Sequence, residues 1–147
     1  MNEVTPTLLL VEDSPEDRVA TLRAFRKCGM TSRVDTCEDG DEALDYLLGQ
    51  GKYAPPNNRV RPSLVLLDLN LPGTDGREVL IQMKRNASLK QIPVVVLTTS
   101  TDERDISGSY EAGASGYVKK PVDLEVFMRT IRLMKEWWFD TVILPAA

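Results

Sequence analysis

Three aliphatic runs and one more polar segment each end in residues able to do chemistry. Leu8-Leu9-Leu10-Val11 is followed by Glu12 and Asp13, and Leu64-Val65-Leu66-Leu67 by Asp68 and then Asn70. Val94-Val95-Val96-Leu97 is followed by Thr98, and Gly116 to Lys119 by Lys120 and Pro121. If the segments are parallel strands, the residues after them reach one sheet edge, where open α/β sheets bind ligands. Three carboxylates, a hydroxyl and an ammonium then share a cleft. Crowded carboxylates repel one another, and a hard divalent cation relieves that; Mg²⁺ takes oxygen ligands from one or two carboxylates, waters and a phosphate. With Thr98 and Lys120 beside it, such a cation forms a clamp for phosphoryl oxygens, and an aspartate can take the phosphoryl group itself as nucleophile.

The rest of the composition narrows the field. The chain has 147 residues and no histidine, which removes Ser-His-Asp and Cys-His chemistry, histidine-bound metals and the histidine-bearing role in a phosphorelay. Twenty-two acidic against 18 basic residues give a net charge of -4, the wrong balance for neutralising the phosphates of a duplex, so no direct nucleic-acid binding is expected. Cys28 and Cys37 lack metal-ligand or CxxC spacing and read as reduced thiols. The start, Met1-Asn2-Glu3-Val4, has no basic targeting segment, and no apolar run reaches the roughly 18 residues of a membrane span. The expectation is a cytoplasmic protein without membrane contact, folded as one domain over 1–147 with its core at about 7–135 and an apolar extension at about 136–147.

The elements that must position these residues alternate. The continuous aliphatic runs predict strands buried on both faces of a parallel sheet, and Arg33 to Cys37 and Gly116 to Lys119 predict edge strands. Between them lie helical patterns. Ser14 is a cap, Pro15 suits the first helical position and Asp17 holds a capping-box-like place; Val19, Leu22 and Phe25 follow on one face, and Gly29 stops the helix. Further helices are predicted over Asp41 to Leu48, Gly76 to about Asn86, and Asp102 to about Ala112. The last and longest helix carries the core stripe Leu124, Phe127, Ile131, Met134 and Trp138. Five such alternations call for an α/β fold with right-handed crossovers and helices on both faces of the sheet. The stretch 49–62, rich in Gly, Pro and Asn, exceeds the usual connection of about 4–6 residues and reads as an elaboration.

At this point the chain resembles the receiver domains of two-component response regulators. The acidic pair matches at Glu12-Asp13, the phosphoacceptor motif at Asp68 to Gly76, the switch hydroxyl at Thr98, the switch aromatic at Tyr117 and the lysine-proline pair at Lys120-Pro121, over roughly residues 7 to 135. The resemblance implies a flavodoxin-like, doubly wound five-stranded parallel sheet of order 2-1-3-4-5. It implies a phosphoacceptor signalling protein rather than a turnover enzyme, with Asp68 taking a phosphoryl group from the phosphohistidine of a sensor histidine kinase and assisting its later loss. Asp13 and Asp68 would ligate Mg²⁺, or Mn²⁺, by side chain, Asn70 by its carbonyl and Glu12 through water. Lys120 would pair with Asp68 and then with the phosphoryl oxygen, while Thr98 and Tyr117 would rearrange. Thr99 would flank the phosphoryl group, and the Lys120-Pro121 bond would be cis. Glu12 replaces the commoner aspartate, which leaves the metal shell less defined.

A second apolar set on the last helix, Val126, Leu133 and Trp137, is offset from the core stripe, and the tail Trp137-Trp138-Phe139 to Pro145 is itself apolar. Either the tail covers the outer set or another chain does; the dimer reading assigns Val126, Leu133, Trp137, Trp138 and Phe139 to a homodimer interface. The chain stops at Ala147, so output is expected through the receiver's own surface. The long loop, Arg77-Glu78-Val79-Leu80 and the Trp-rich ending are similar to the small response regulators that partner cyanobacterial phytochromes, which implies a phytochrome kinase as donor. Two other readings differ in class. A haloacid-dehalogenase-like phosphatase would need an acid two residues beyond Asp68, where Asn70 stands. A phosphorylation-independent interaction protein would not need the complete set of site residues.

Overall fold

Leucine and valine runs bounded by turn residues have no polar face to offer, so they are stable only when both faces are covered. The structure, a computed structural model, describes residues 5–145, and the Met1 to Val4 start read for a targeting signal lies outside the described residues. Strands β1 (Leu8–Val11), β2 (Val34–Cys37), β3 (Leu64–Leu67), β4 (Val94–Thr98) and β5 (Gly116–Lys119) form one parallel sheet of order β2-β1-β3-β4-β5. The three aliphatic strands are buried throughout, and the two polar ones are its edges.

Successive side chains of a strand point to opposite faces, and the core divides accordingly. Leu9, Val11, Val65, Leu67 and Val94 pack with Ala43, Tyr46 and Leu47 of α2 (Gly40–Leu48) and Val79, Leu80 and Met83 of α3 (Gly76–Arg85). Leu8, Leu10, Leu64, Leu66, Val95 and Leu97 pack with Ala24 and Phe25 of α1 (Pro15–Lys27) and Phe127, Ile131 and Met134 of α5 (Leu124–Lys135). The remaining helix, α4 (Glu103–Ala112), buries only Ser109. Each helix starts on a side-chain cap: Ser14, Asp39, Asp75, Asp102 and Asp123 each accept a backbone N–H of the first turn.

Several local expectations are corrected. Val19 is exposed, because Thr21, Ala24 and Phe25 set the buried face of α1 and Val19 lies about 120° round the helix from Phe25. Leu124 is exposed because it opens α5, and the buried stripe begins three residues later at Phe127. By itself α5 has 12 residues against 13 in α1, but it runs on without a break into a π-helical turn over Glu136–Thr141. The Lys120-Pro121 peptide is trans, with the Lys120 N–H donating to the Thr98 carbonyl of β4, and among the described residues the cis bond is at Pro55-Pro56. Cys28 is half-buried and Cys37 fully buried, both as free thiols.

Stretch 49–62 contains a 3-10 turn at Gly51–Tyr53 and lies against the β2 side of the sheet. Tyr53 packs edge-on to Tyr46, with ring centroids 5.0 Å apart. Arg33 donates to the Asn58 carbonyl at 3.1 Å and the Tyr46 hydroxyl to the Val60 carbonyl at 2.9 Å, so the loop is docked.

Candidate functional site

The backbone ladder continues one residue past the strands and carries the polar residues with it. The Glu12 N–H donates to the Cys37 carbonyl (3.0 Å), Asp68 N–H to Val11 (3.1 Å) and Lys120 N–H to Thr98 (2.7 Å). Register pairs Val11 with Leu67 and Thr98 with Lys119, so Glu12, Asp68, Thr98 and Lys120 meet at the carboxyl edge. The motif after Asp68 folds back closely: Gly76 N–H donates to the Leu69 carbonyl at 2.9 Å. A Cβ at Gly76 would overlap the Asp68 carbonyl oxygen, so only glycine lets the start of α3 approach the backbone of Asp68.

The side chains converge as the sequence predicts. Lys120 is buried and its Nζ pairs with Asp68 Oδ2 at 2.9 Å and with Glu12 Oε1. Asp68 Oδ1 accepts the Asn70 N–H at 3.2 Å, and Glu12 Oε2 accepts the Ser14 N–H at 3.3 Å. Oxygens of Glu12, Asp13 and Asp68 lie within 4.8 Å of one another, with Glu12 and Asp68 buried and Asp13 exposed. Burial pushes the Glu12 carboxyl up to about 7, against the opposing pull of Lys120. Burial also disfavours the Lys120 ammonium, but its hydrogen bonds to Glu12 and Asp68 outweigh it and the pKa is raised. This donor set fits a hard divalent cation: acidic oxygens from two strand ends, one of them open to solvent.

Thr98 is fully buried, and its Oγ1 is the one buried side-chain polar atom without a hydrogen-bond partner among the described residues. A buried hydroxyl left without a partner is costly, so a hydrogen-bond acceptor placed beside it would be favoured. Thr99 is exposed. Tyr117, half-buried on β5, donates its hydroxyl to the Ser100 carbonyl at 3.0 Å. Ser100 in turn donates to Asp105 at 2.6 Å, and Asp105 pairs with Arg77 at 2.7 Å, which joins the loop after β4 to both α4 and α3.

By spacing, Asp17 holds a capping-box-like place after Ser14. Its N–H does donate to Ser14 Oγ at 3.2 Å, but its carboxylate pairs with Lys120 at 3.0 Å, and Glu12 takes the Ser14 N–H instead. The signal that could have pointed there is a further acid four residues after Asp13, in the first turn of the helix that follows the acidic pair.

The residues proposed for a subunit contact divide. Trp138 and Phe139 are half-buried against the chain's own core, together with Leu144. Val126, Leu133 and Trp137 are exposed, by 37%, 56% and 56%, along the outer side of α5 and its extension.

Sheet order, edge site and motif spacing define a flavodoxin-like receiver, and the family model of the response regulator receiver domain matches residues 8–132. The chain belongs to that family, whose members act in two-component signalling. It is 42% identical over 95% of its length to Response regulator Rcp1 of Synechocystis sp., covering 93% of that protein. It is 45% identical over 89% of its length to the probable methanogenesis regulatory protein FilR2 of Methanothrix harundinacea, covering 82% of it. Among solved structures, the Mn(2+)-bound form of Rcp1 superposes with a TM-score of 0.90 at 41% identity, covering 96% of this chain and 99% of that one. The phosphorylated cyanobacterial phytochrome response regulator RcpA superposes with a TM-score of 0.91 at 40% identity, covering 97% and 100%. Among the described residues, no helix is long and apolar enough to cross a membrane.

Proposed function

We propose that this receiver accepts a phosphoryl group on Asp68 from the phosphohistidine of a sensor histidine kinase in the cytoplasm. The observation that carries the reading is the buried Asp68–Lys120 pair at 2.9 Å beside the unpartnered Thr98 hydroxyl. A carboxylate oxygen of Asp68 forms the new O–P bond while the P–N bond breaks; the electron pair returns to the donor imidazole, which takes up a proton. Lys120 is placed to follow the charge from the carboxylate to a phosphoryl oxygen, and Thr98 to donate to another. Glu12, Asp13 and Asp68, with the Asn70 carbonyl, are the groups that would hold Mg²⁺ or Mn²⁺. When bound, the cation offsets the negative charge of the phosphoryl oxygens. Exposed Thr99 borders the path by which water reaches the aspartyl phosphate for its loss.

Likeness to RcpA, described as a phytochrome response regulator, favours a phytochrome among sensor kinases. We assign the homodimer contact to the α4–β5–α5 face, centred on Val126, Leu133 and Trp137, with Trp138 and Phe139 shaping the surface from beneath.

Acetyl phosphate with Mg²⁺ is expected to give a base-labile phosphoryl label on the chain that Asp68→Asn abolishes. Undiminished labelling of Asp68→Asn would overturn the assignment. Trp137→Glu is expected to convert dimers to monomers in light scattering, and a dimeric Trp137→Glu variant would place the contact elsewhere.

A further inference from the structure

Lys120 carries three N–H donors and faces three carboxylates: Glu12, Asp68 at 2.9 Å and Asp17 at 3.0 Å. Glu12 and Asp68 belong to strand ends and are almost wholly buried. Asp17 belongs to the first turn of α1, and its side chain is 42% exposed. Its backbone is fixed twice, by N–H donation to Ser14 Oγ at 3.2 Å and by accepting the Thr21 hydroxyl at 2.7 Å. Thr21 is buried, so the carboxylate projects toward Lys120 from an anchored turn rather than a loose loop.

We propose that Asp17 is a positioning residue that withholds Lys120 from the phosphoryl group and so brakes phosphorylation of Asp68. The inference rests on the phosphoacceptor reading of Asp68 and adds a regulator of that site. Turning the Asp68 carboxylate into an aspartyl phosphate adds about one negative charge to the cleft. Glu12, Asp17 and Asp68 already share a single lysine there, and Asp13 adds a further carboxylate beside Glu12 and Asp68. Asp17 opposes the added charge by direct repulsion. It also competes for an ammonium that the phosphoryl oxygens need, since that ammonium must leave Asp68 while Asp17 still holds it to α1. Asp17 is half-exposed, so its effect is that of a screened charge, of moderate size and sensitive to salt.

The test compares wild type, Asp17→Asn and Asp17→Glu for the rate of labelling by acetyl phosphate with Mg²⁺, at low and high ionic strength, with Asp68→Asn as the unlabelled control. Asp17→Asn is expected to label about three- to tenfold faster at low salt, with the gain shrinking toward about twofold in about 0.5 M salt. Asp17→Glu, which keeps the charge within reach of Lys120, is expected to return the rate to the wild-type range. Thermal unfolding of each variant separates these effects from damage to α1, which would slow labelling and spare its salt dependence. An Asp17→Asn rate equal to or below wild type at low salt, with wild-type label still dependent on Asp68, overturns the brake and leaves the phosphoacceptor reading standing. Labelling of Asp68→Asn would instead remove the reading beneath it.

Discussion

Helices α3 and α4 have the same length, ten residues, and nearly the same beginning. Each starts on an aspartate, Asp75 or Asp102, that accepts an arginine N–H two residues on and pairs with that arginine's side chain at 3.0 Å. Their faces differ. α3 buries Gly76, Val79, Leu80 and Met83, whereas α4 turns Gly108, Ser109 and Ala112 toward the same side and buries only Ser109. Equal ends with unequal faces show that capping decides where a helix starts, while apolar area decides how firmly it is held. α4 is attached largely through polar groups, the Arg77–Asp105 pair, Ser100 and Tyr117, and these meet in the loop directly after Thr98. An element held this way can shift when that loop moves, without disturbing the core.

The comparison predicts a graded set of outcomes. Leu80→Ala on α3 should lower global stability by about 3 kcal/mol in urea denaturation, because a fully packed leucine leaves a cavity. Ile106→Ala on α4, from a half-buried site, should cost about 1 kcal/mol or less. Comparable costs at the two sites would break the distinction. Next in size, Arg77→Met should speed amide exchange across α4 several-fold while leaving α3 near wild type; uniform acceleration of both helices would mean the ion pair is not the tether. The smallest effect is with pH. Hydrogen bonds from Arg77 and Ser100 hold the Asp105 carboxyl down at about 2, below its ordinary 3.8. A depressed carboxylate pKa stabilises the fold above the ordinary value and loses that contribution as pH falls through the folded one. The protection of α4 relative to α3 should therefore decline between about pH 4 and pH 2 and be flat in Arg77→Met.

Much of this was legible in the residues. The strands could be read because aliphatic runs of four or five residues buried on both faces leave little ambiguity, and the edges because polar residues interrupt them. The site could be read because a parallel sheet brings every strand end to one side, so Glu12, Asp68, Thr98 and Lys120 needed only the strand assignment. What escaped depends on three-dimensional choice among equivalent options. Asp17 could serve the helix cap or the lysine, and only the proximity of Lys120, over a hundred positions away in the chain, decides it. Trp137 and Trp138 are neighbours of identical type; the helical phase sends Trp138 toward the core and leaves Trp137 outside. Val19 kept a plausible spacing on the wrong side of its helix.

The docked loop from 49 to 62 has a further consequence at the other side of the sheet. β2 is one of the two terminal strands, with β1 as its only strand neighbour among the described residues, and such a strand is a template on which another chain can add by backbone pairing. Here it is four residues long, its Asp35 pairs at 3.0 Å with Arg33 just before the strand, and the loop is tied alongside through Asn58 and Val60. Those features discourage open-ended stacking of sheets into fibres. With this edge blocked, the dimer contact proposed on α5 involves a helical surface, where an interface can close after two copies.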